Sequence, residues 1–514
     1  MAKYLYAAAV QGIQSFIFQT NVLKDIVGAS ELVDSICTEA FKQLPGISWK
    51  EENQVIAAAG NVKYVFDTRE DCEKAVREFP RTVMTMAPGI TISQAVVELT
   101  DDFEKDVNSV EEKLRAQRNR ILPPLADGLL GVRRAPGTGL PATGSRNGKG
   151  SGAFIDDSTK RKQGMNDTVS LCVKSFYGKD RYIKGDKEYR ELYDRVPFDV
   201  SGICGKNDWI AVIHADGNSL GQVVRHVGHD RDKFSEFSRE LDKATILSAN
   251  EAFKHLSETR HIDEGGGLIP IRPIVLGGDD MTVIIRGDLA IGYVTEYMRK
   301  FQENTRNGRI GEIIRDATEK DEPAKRMTRL TACAGVAFIK SSFPFYYGYR
   351  LAESLCDAAK KRAKEIDKVN VPACLMFHKV QDSFIESYAD ITERELTPQE
   401  GLSLQYGPYY LDEGKAPLGF GTVGSLLESV SKLRDGGDDI RPAVRRWLTV
   451  LHESRAKADQ FLSRAKAVHP GQKALIGKLT EFIKRKDSEA CPAYDVLALN
   501  TIMSQVTREE SHED

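Results

Sequence analysis

The chain has little of what would place it early in several functional classes. No stretch approaches the roughly 18 apolar residues of a membrane span. The opening run Tyr4-Leu5-Tyr6-Ala7-Ala8-Ala9-Val10 is cut by Gln11 before it reaches the length of a signal peptide. Membrane insertion and secretion are therefore not expected. An excess of either charge is also missing: 72 basic and 75 acidic residues leave a formal charge of -3. No global field draws the chain to nucleic acid or to an anionic surface, and broad nucleic-acid binding is not predicted. The eight cysteines (37, 72, 172, 204, 333, 356, 374, 491) are scattered and form no C-x-x-C. They read as small core residues of a reducing cytoplasm. What remains is an ordinary globular balance, 41% hydrophobic and 29% charged over 514 residues, long enough for about three or four domains.

The most informative stretch is Ile274 to Ile285, two apolar runs pinched around Gly277-Gly278-Asp279-Asp280. Apolar runs of this length read as buried strands, and the glycines read as a tight hairpin. Adjacent like charges repel unless solvent or a cation relieves them, so Asp279-Asp280 is either a solvated turn or a divalent-metal site. So apolar a hairpin is expected to be central in a sheet, where an unpaired charge is costly.

Around it the chain repeats one order of elements. Tyr4 to Val10 predicts a strand, followed by a helical region to about Leu44. Gln54 to Ala59 and Val62 to Phe66 predict a hairpin about Gly60-Asn61. A helix from Thr68 to about Phe79, a strand from Ile90 to Leu99 and a helix from Asp101 capped near Thr100 complete β-α-β-β-α-β-α. A second copy starts with the strand Trp209 to Ala215, which ends in Asp216-Gly217-Asn218-Ser219. Phe234, Phe237, Leu241, Ala244 and Leu247 mark an amphipathic helix, and the Gly-Gly-Asp-Asp hairpin follows. Asp288 caps the next helix, Leu330 to Ile339 is a strand, and Ala352, Leu355, Cys356, Ala359 and Ala363 line a long last helix. Split β-α-β units of this kind are ferredoxin-like. The expected class is α+β: two ferredoxin-like palm domains (βαββαβ) over residues 1–122 and 206–388, an inter-palm region 123–205 and a helical C-terminal domain 389–514. In the first copy neither Val10-Gln11 nor the tip Ala59-Gly60-Asn61 is acidic, so that copy is expected to be catalytically silent.

Pro123 to about Gly164 is rich in Pro, Gly, Ser, Thr and basic residues and reads as a linker or loop. Its two phosphate-loop lookalikes fail: Ser145 stands where lysine belongs, and Gly148-Lys149 follows no strand. Its basic residues are a solvated face or a local contact to phosphates. The tail from Arg508 to Asp514 is charged and expected to fray.

In a β-α-β-β sheet the first strand lies beside the hairpin, so Asp216 is expected to approach Asp279 and Asp280. Three such carboxylates suit one or two Mg²⁺ or Mn²⁺ ions and nucleotidyl transfer. Gly277, Gly278, Gly217, Asn218 and Ser219 are the candidate backbone cradle for phosphates. Lys360 and Lys364, one helical turn apart, are candidates for triphosphate charge or else a salt-bridge flank with Asp357 and Glu353. His214, on the face shared with Asp216, either lines the nucleotide pocket or has a structural partner. His229-Asp230 lacks the further ligands a phosphohydrolase needs.

These residues resemble the large polymerase/cyclase subunit of type III CRISPR effector complexes. The similar features are Gln11 to Ile17 with Gly28-Ala29-Ser30-Glu31-Leu32, the Ala215-Asp216-Gly217 strand end, the Gly-Gly-Asp-Asp hairpin, and the strand that leads into the Lys360 helix. The resemblance covers about residues 1 to 385. It implies ATP as substrate, cyclic oligoadenylate as product, catalytic metal on the second palm, and partner subunits of an RNA-guided complex. Three departures stand out. The first palm begins almost at Met1, so HD-type DNA cleavage is not expected. Only Cys172 and Cys204 fall where the family often has a four-cysteine site, so structural zinc is not expected. Asn218 replaces the second acid commonly found after the first-strand aspartate. A trimmed relative of this kind is expected to act alone or as a homo-oligomer, or to serve as a nucleotide-binding scaffold. A diguanylate cyclase shares the palm, but Asp280-Met281 stands in place of the usual Glu-Phe.

Overall fold

The first apolar run becomes β1 (Tyr4–Gln11), buried from Leu5 to Val10. It is continuous rather than alternating because β1 lies inside a sheet. After it come β2 (Gln54–Ala58), β3 (Asn61–Phe66) and β4 (Thr91–Glu98), and the sheet order is β2-β3-β1-β4. Both neighbours of β1 are antiparallel, with Ala7 opposite Lys63 on one side and Ala95 on the other. The edge strand β4 alternates in burial, as a half-covered strand should. Apart from residues 1, 59, 121–130, 146–152, 166–167, 180–186, 205–207, 263–265, 382–386, 413, 415, 418, 437–439, 486–487 and 511–514, the computed structural model describes the whole chain. Ala59 of the first hairpin tip, the Gly148-Lys149 lookalike, the start of the Pro/Gly-rich stretch and the end of the charged tail lie outside the described residues.

One helix behind this sheet runs longer than its sequence signal, and the next falls within it. The helix Arg69–Met86 continues through Pro80 because Phe79 and Val83 bury fully on the same face. The helix Phe103–Arg118 is capped by the Asp102 side chain, which accepts from the Lys105 N–H at 3.0 Å. Thr100 takes a different role, its hydroxyl donating to the Asp106 carboxylate at 3.0 Å.

Part of the stretch expected to be a linker is packed. After the short pair β5 (Gly144–Ser145) and β6 (Phe154–Ile155), the helix Asp157–Gly164 is capped by Asp156 and lies against the helix Leu23–Ser35. Gly28 permits that approach, since a Cβ there would meet the Lys162 carbonyl oxygen at 1.9 Å. Lys162 is only 1% exposed, and its ammonium donates to the Phe16 carbonyl at 2.7 Å and to Gln19 at 3.1 Å. Burial pushes that ammonium down to about 8, against the pull of Asp156 and Asp25. A polar composition hides this helix from sequence patterning because backbone carbonyls, not apolar neighbours, satisfy the buried lysine.

The second sheet contains β7 (Trp209–Gly217), β8 (Ile271–Gly277), β9 (Asp280–Arg286), β10 (Ala332–Lys340) and β11 (Cys374–Lys379). Beyond β12 (Leu402–Ser403), the short β13 (Tyr409–Tyr410) joins it, and the order is β13-β11-β10-β7-β9-β8. Within it, β8-β9-β7-β10 repeats the order of the first sheet. Here β7 has the central place and pairs antiparallel with β10, Asp216 opposite Cys333. The helix Arg231–Arg260 starts at Asp230, whose carboxylate accepts from the backbone N–H groups of Asp232 and Lys233. Phe234, Phe237, Leu241 and Ala244 are buried on it, while Leu247 is 43% exposed. Two helices without a clear sequence signal are present, Leu220–Val227 and Gly308–Thr318.

The chain forms two compact units, one of residues 1–202, 219–283 and 300–330, the other of residues 203–218, 284–299 and 331–514. In the second, the helices Val423–Gly436, Arg441–Glu453, Arg455–Val468, Lys473–Thr480 and Ala493–Glu510 follow the apolar stripes, with Trp447 and Leu451 almost fully buried. They are joined by a small sheet of order β12-β15-β14, with β14 (Ile483–Lys484) and β15 (Glu489–Ala490), which the sequence reading did not contain. The fold is thus α+β, with two ferredoxin-like sheets and a helical C-terminal part. No helix among the described residues is long and apolar enough to cross a membrane.

One buried acid makes this unit sensitive to pH. Asp495 accepts from the Tyr409 hydroxyl at 2.7 Å and the Tyr406 N–H at 3.2 Å, and burial pushes its carboxyl up to about 7. Because the folded value lies above the unfolded one, its stability contribution is fully present below about pH 4 and is lost as pH rises to about 7. Asp495→Asn keeps an acceptor for both donors. Urea melts from pH 4 to 8 are expected to show the wild type losing stability relative to this variant across that window. Parallel curves would remove the assignment.

Candidate metal and nucleotide site

The second hairpin turns over two residues, Gly278 and Asp279, between β8 and β9. Gly278 has φ +62°, a left-handed conformation in which a side chain is strained. Two groups from the helix Arg231–Arg260 hold it: its N–H donates to the Asp242 carboxylate at 2.9 Å, and the Thr245 hydroxyl donates to its carbonyl at 2.6 Å. The tip that carries the aspartates is therefore fixed through its backbone. Sequence reasoning missed Asp242 and Thr245, which lie more than 30 positions upstream. Their visible signal was a polar pair three residues apart beside the buried Leu241 and Ala244.

Asp216, Asp279 and Asp280 come together, each offering an oxygen within 4.8 Å of the other two, and all three are half-buried. Among the described residues no other group of three acidic, histidine or cysteine side chains has this spacing. Asp216 does not stand alone against its neighbours. The Lys360 ammonium from the helix Phe345–Ile366 is hydrogen-bonded to its carboxylate, and donates also to the Gly217 carbonyl at 2.9 Å. Lys360 thus makes its contact at the end of β7. The helix can reach that far in because Gly335 of β10 has no Cβ, which would meet the Ala352 carbonyl at 1.9 Å. Lys364, one turn on, is exposed.

The remaining candidates differ in their surroundings. Asn218 is 1% exposed; its amide donates to the Thr331 hydroxyl at 3.0 Å and to the Cys333 sulfur at 3.3 Å. Ser219 takes φ +64° at the N-cap of the helix Leu220–Val227, where its side chain makes no capping bond. His214 packs edge-on to Tyr349, 5.7 Å between ring centres. Burial pushes its imidazole below the ordinary range, against the pull of Asp216 and Glu353. His229 pairs with Glu104 at 2.7 Å in an exposed contact.

The Gly28-Ala29-Ser30-Glu31-Leu32 stretch also has a place here. The Ser30 hydroxyl donates to the Ile274 carbonyl of β8, so the first palm's helix bonds to the strand that leads into the hairpin.

Chemically, three carboxylates at one strand end are a hard oxygen donor set, the kind that holds Mg²⁺ or Mn²⁺. The Lys360 ammonium bonded to Asp216 supplies positive charge to one of these carboxylates. The residues present fit a divalent ion.

Residues 209–369 match the family model for the Cas10/Cmr2 second palm domain. The chain is similar in fold to Csm1 of T. onnurineus, with a TM-score of 0.53 at 14% identity over 98% of this chain and 69% of that one. A structure of the Csm1-Csm4 cassette with pppApApA gives a TM-score of 0.54 at 13% identity, and one with cA3 gives 0.52 at 13%; each match covers 98% of this chain and 69% of the other. No curated protein matches the sequence. Residues 209–369 are thus a Cas10/Cmr2-type second palm domain, set in a chain that shares its fold with Csm1.

Proposed function

We propose that this chain is a metal-dependent nucleotidyltransferase that converts ATP into a cyclic oligoadenylate or related signal in antiviral defence. The observation that carries the reading is the Asp216, Asp279 and Asp280 cluster within a Cas10/Cmr2-type palm. Mg²⁺ or Mn²⁺ bound there supplies positive charge for the triphosphate and acidifies an attacking ribose hydroxyl. The chain's own residues do the rest. Asp242 and Thr245 hold the tip so that both aspartates are presented without rearrangement. Lys360 brings a fixed ammonium to the strand end, and Lys364 adds a second, solvent-screened charge. Gly277, Gly278, Gly217, Asn218 and Ser219 form the backbone proposed to approach the phosphates. Support for adenylate chemistry comes from the relative solved with pppApApA and cA3. Purified protein incubated with ATP and Mn²⁺, with target RNA and partner subunits supplied as activators, is expected to yield adenylate oligomers by mass spectrometry. Absence of any product under all these conditions would sink the reading.

A second reading is a catalytically weak nucleotide-binding scaffold of an RNA-guided complex, favoured by the relative's having been solved together with Csm4. Purification from the host separates the two. A scaffold brings down stoichiometric RNA and partner subunits yet makes no product with ATP.

A further inference from the structure

A cavity of about 650 Å³ lies in the second unit, away in sequence from every residue of the carboxylate site. That volume suits a small organic ligand. Its floor is apolar, with Leu404, Leu448, Leu497 and Ala498. Its polar groups are mostly cationic or hydroxylic: Lys379 at the end of β11, Arg445 and His452 on the helix Arg441–Glu453, and the hydroxyls of Thr449, Tyr494 and Thr501.

Charge here is unbalanced. Lys379 is half-buried with its ammonium 4.8 Å from the Trp209 ring centre, and the Lys340 ammonium stands over the same ring at 4.3 Å. Lys340 has a partner in Asp208 at 3.2 Å. Burial pushes Lys379 down to about 8, and the two charges that act on it, Arg445 and Lys340, press the same way. Arg445 donates to the neutral Thr501 hydroxyl at 3.2 Å. Among the described lining residues the one carboxylate, Glu395, faces His378 at 3.9 Å and Arg394 at 3.6 Å. A half-buried cation whose charged neighbours are cations is stabilised by an incoming anion.

We propose that this cavity is a binding site for a small phosphorylated ligand of nucleotide size, with Lys379 and Arg445 on the phosphate and the apolar floor under the remainder. Charge-assisted bonds from an arginine and a lysine are the usual phosphate anchors. The assignment does not depend on the cyclase reading, because it uses none of that site's residues.

The test uses full-length protein in EDTA, with AMP as probe, equilibrium dialysis for binding and tryptophan emission as a second signal. Trp209 lies beneath Lys379, so its emission is expected to change on binding. Saturable AMP binding is expected, displaced by inorganic phosphate and not by adenosine. Arg445→Glu, on an exposed helix surface, and Lys379→Met are each expected to weaken it about tenfold or more, while Asp280→Asn leaves it unchanged. No saturable binding by the wild type overturns the proposal. So does affinity unchanged in both cation variants, displacement by adenosine as effective as by AMP, or loss of binding in Asp280→Asn alone.

Discussion

Asp279→Asn/Asp280→Asn is expected to lower ATP turnover by about a thousandfold or more, with the fold intact. The substitution keeps size and removes both charges from a cluster whose oxygens lie within 4.8 Å of one another. A hard divalent ion loses two of its three carboxylate donors and, with them, most of its affinity. The tip itself should persist, because Asp242 and Thr245 grip the backbone of Gly278. Relief of like-charge repulsion favours folding, so thermal melting of the variant is expected at or slightly above the wild-type temperature without metal. Comparing turnover and melting of both proteins checks the prediction. Full turnover in the variant would place the chemistry elsewhere, and an unfolded variant would assign the hairpin a structural role.

The second large effect belongs to Lys360. Its ammonium bonds to both the Asp216 carboxylate and the Gly217 carbonyl, so it competes with metal for one donor while bringing charge to the proposed triphosphate position. Lys360→Ala is therefore expected to act in two directions. Turnover falls about a hundredfold through loss of a preorganised charge, and Mn²⁺ affinity without nucleotide rises because Asp216 is released. Lys364→Ala, an exposed position, is expected to change turnover only severalfold, and less as salt is raised. Metal titrations and ATP kinetics on the two variants give the comparison. A fall in metal affinity with Lys360→Ala would show that the lysine only maintains local structure.

Much of the fold could be read from the chain because its strands are buried and its turns carry glycine. The run Tyr4 to Val10 is continuous because β1 is interior to its sheet. In Ile274 to Ile285 only β9 has the expected interior place; β8 is the edge strand, and its apolar residues are covered by the helices Ser170–Tyr177 and Arg231–Arg260. Gly60 and Gly278 both take positive φ at the hairpin tips. The meeting of Asp216 with Asp279 and Asp280 followed from the strand order alone. What escaped notice depends on contacts far apart in sequence. The buried helix Asp157–Gly164 owes its place to Lys162 bonding to Phe16 and Gln19, more than 140 positions away. The clamp on Gly278 is likewise made by side chains whose local spacing says only that they lie on a helix. Lys360 was identifiable as a cation clear of the apolar face, but its bond to Asp216 depends on the close packing at Gly335.

The central claim is that Asp216, Asp279 and Asp280 form a divalent-cation site. Titration of the full chain with Mn²⁺, followed by electron paramagnetic resonance of the free ion, tests it without any need for activator or product. The account predicts one or two bound Mn²⁺ ions, displaced by Mg²⁺, with the tight site lost in Asp279→Asn/Asp280→Asn and weakened in Asp216→Asn. Equal Mn²⁺ binding by the wild type and all of these variants would contradict it.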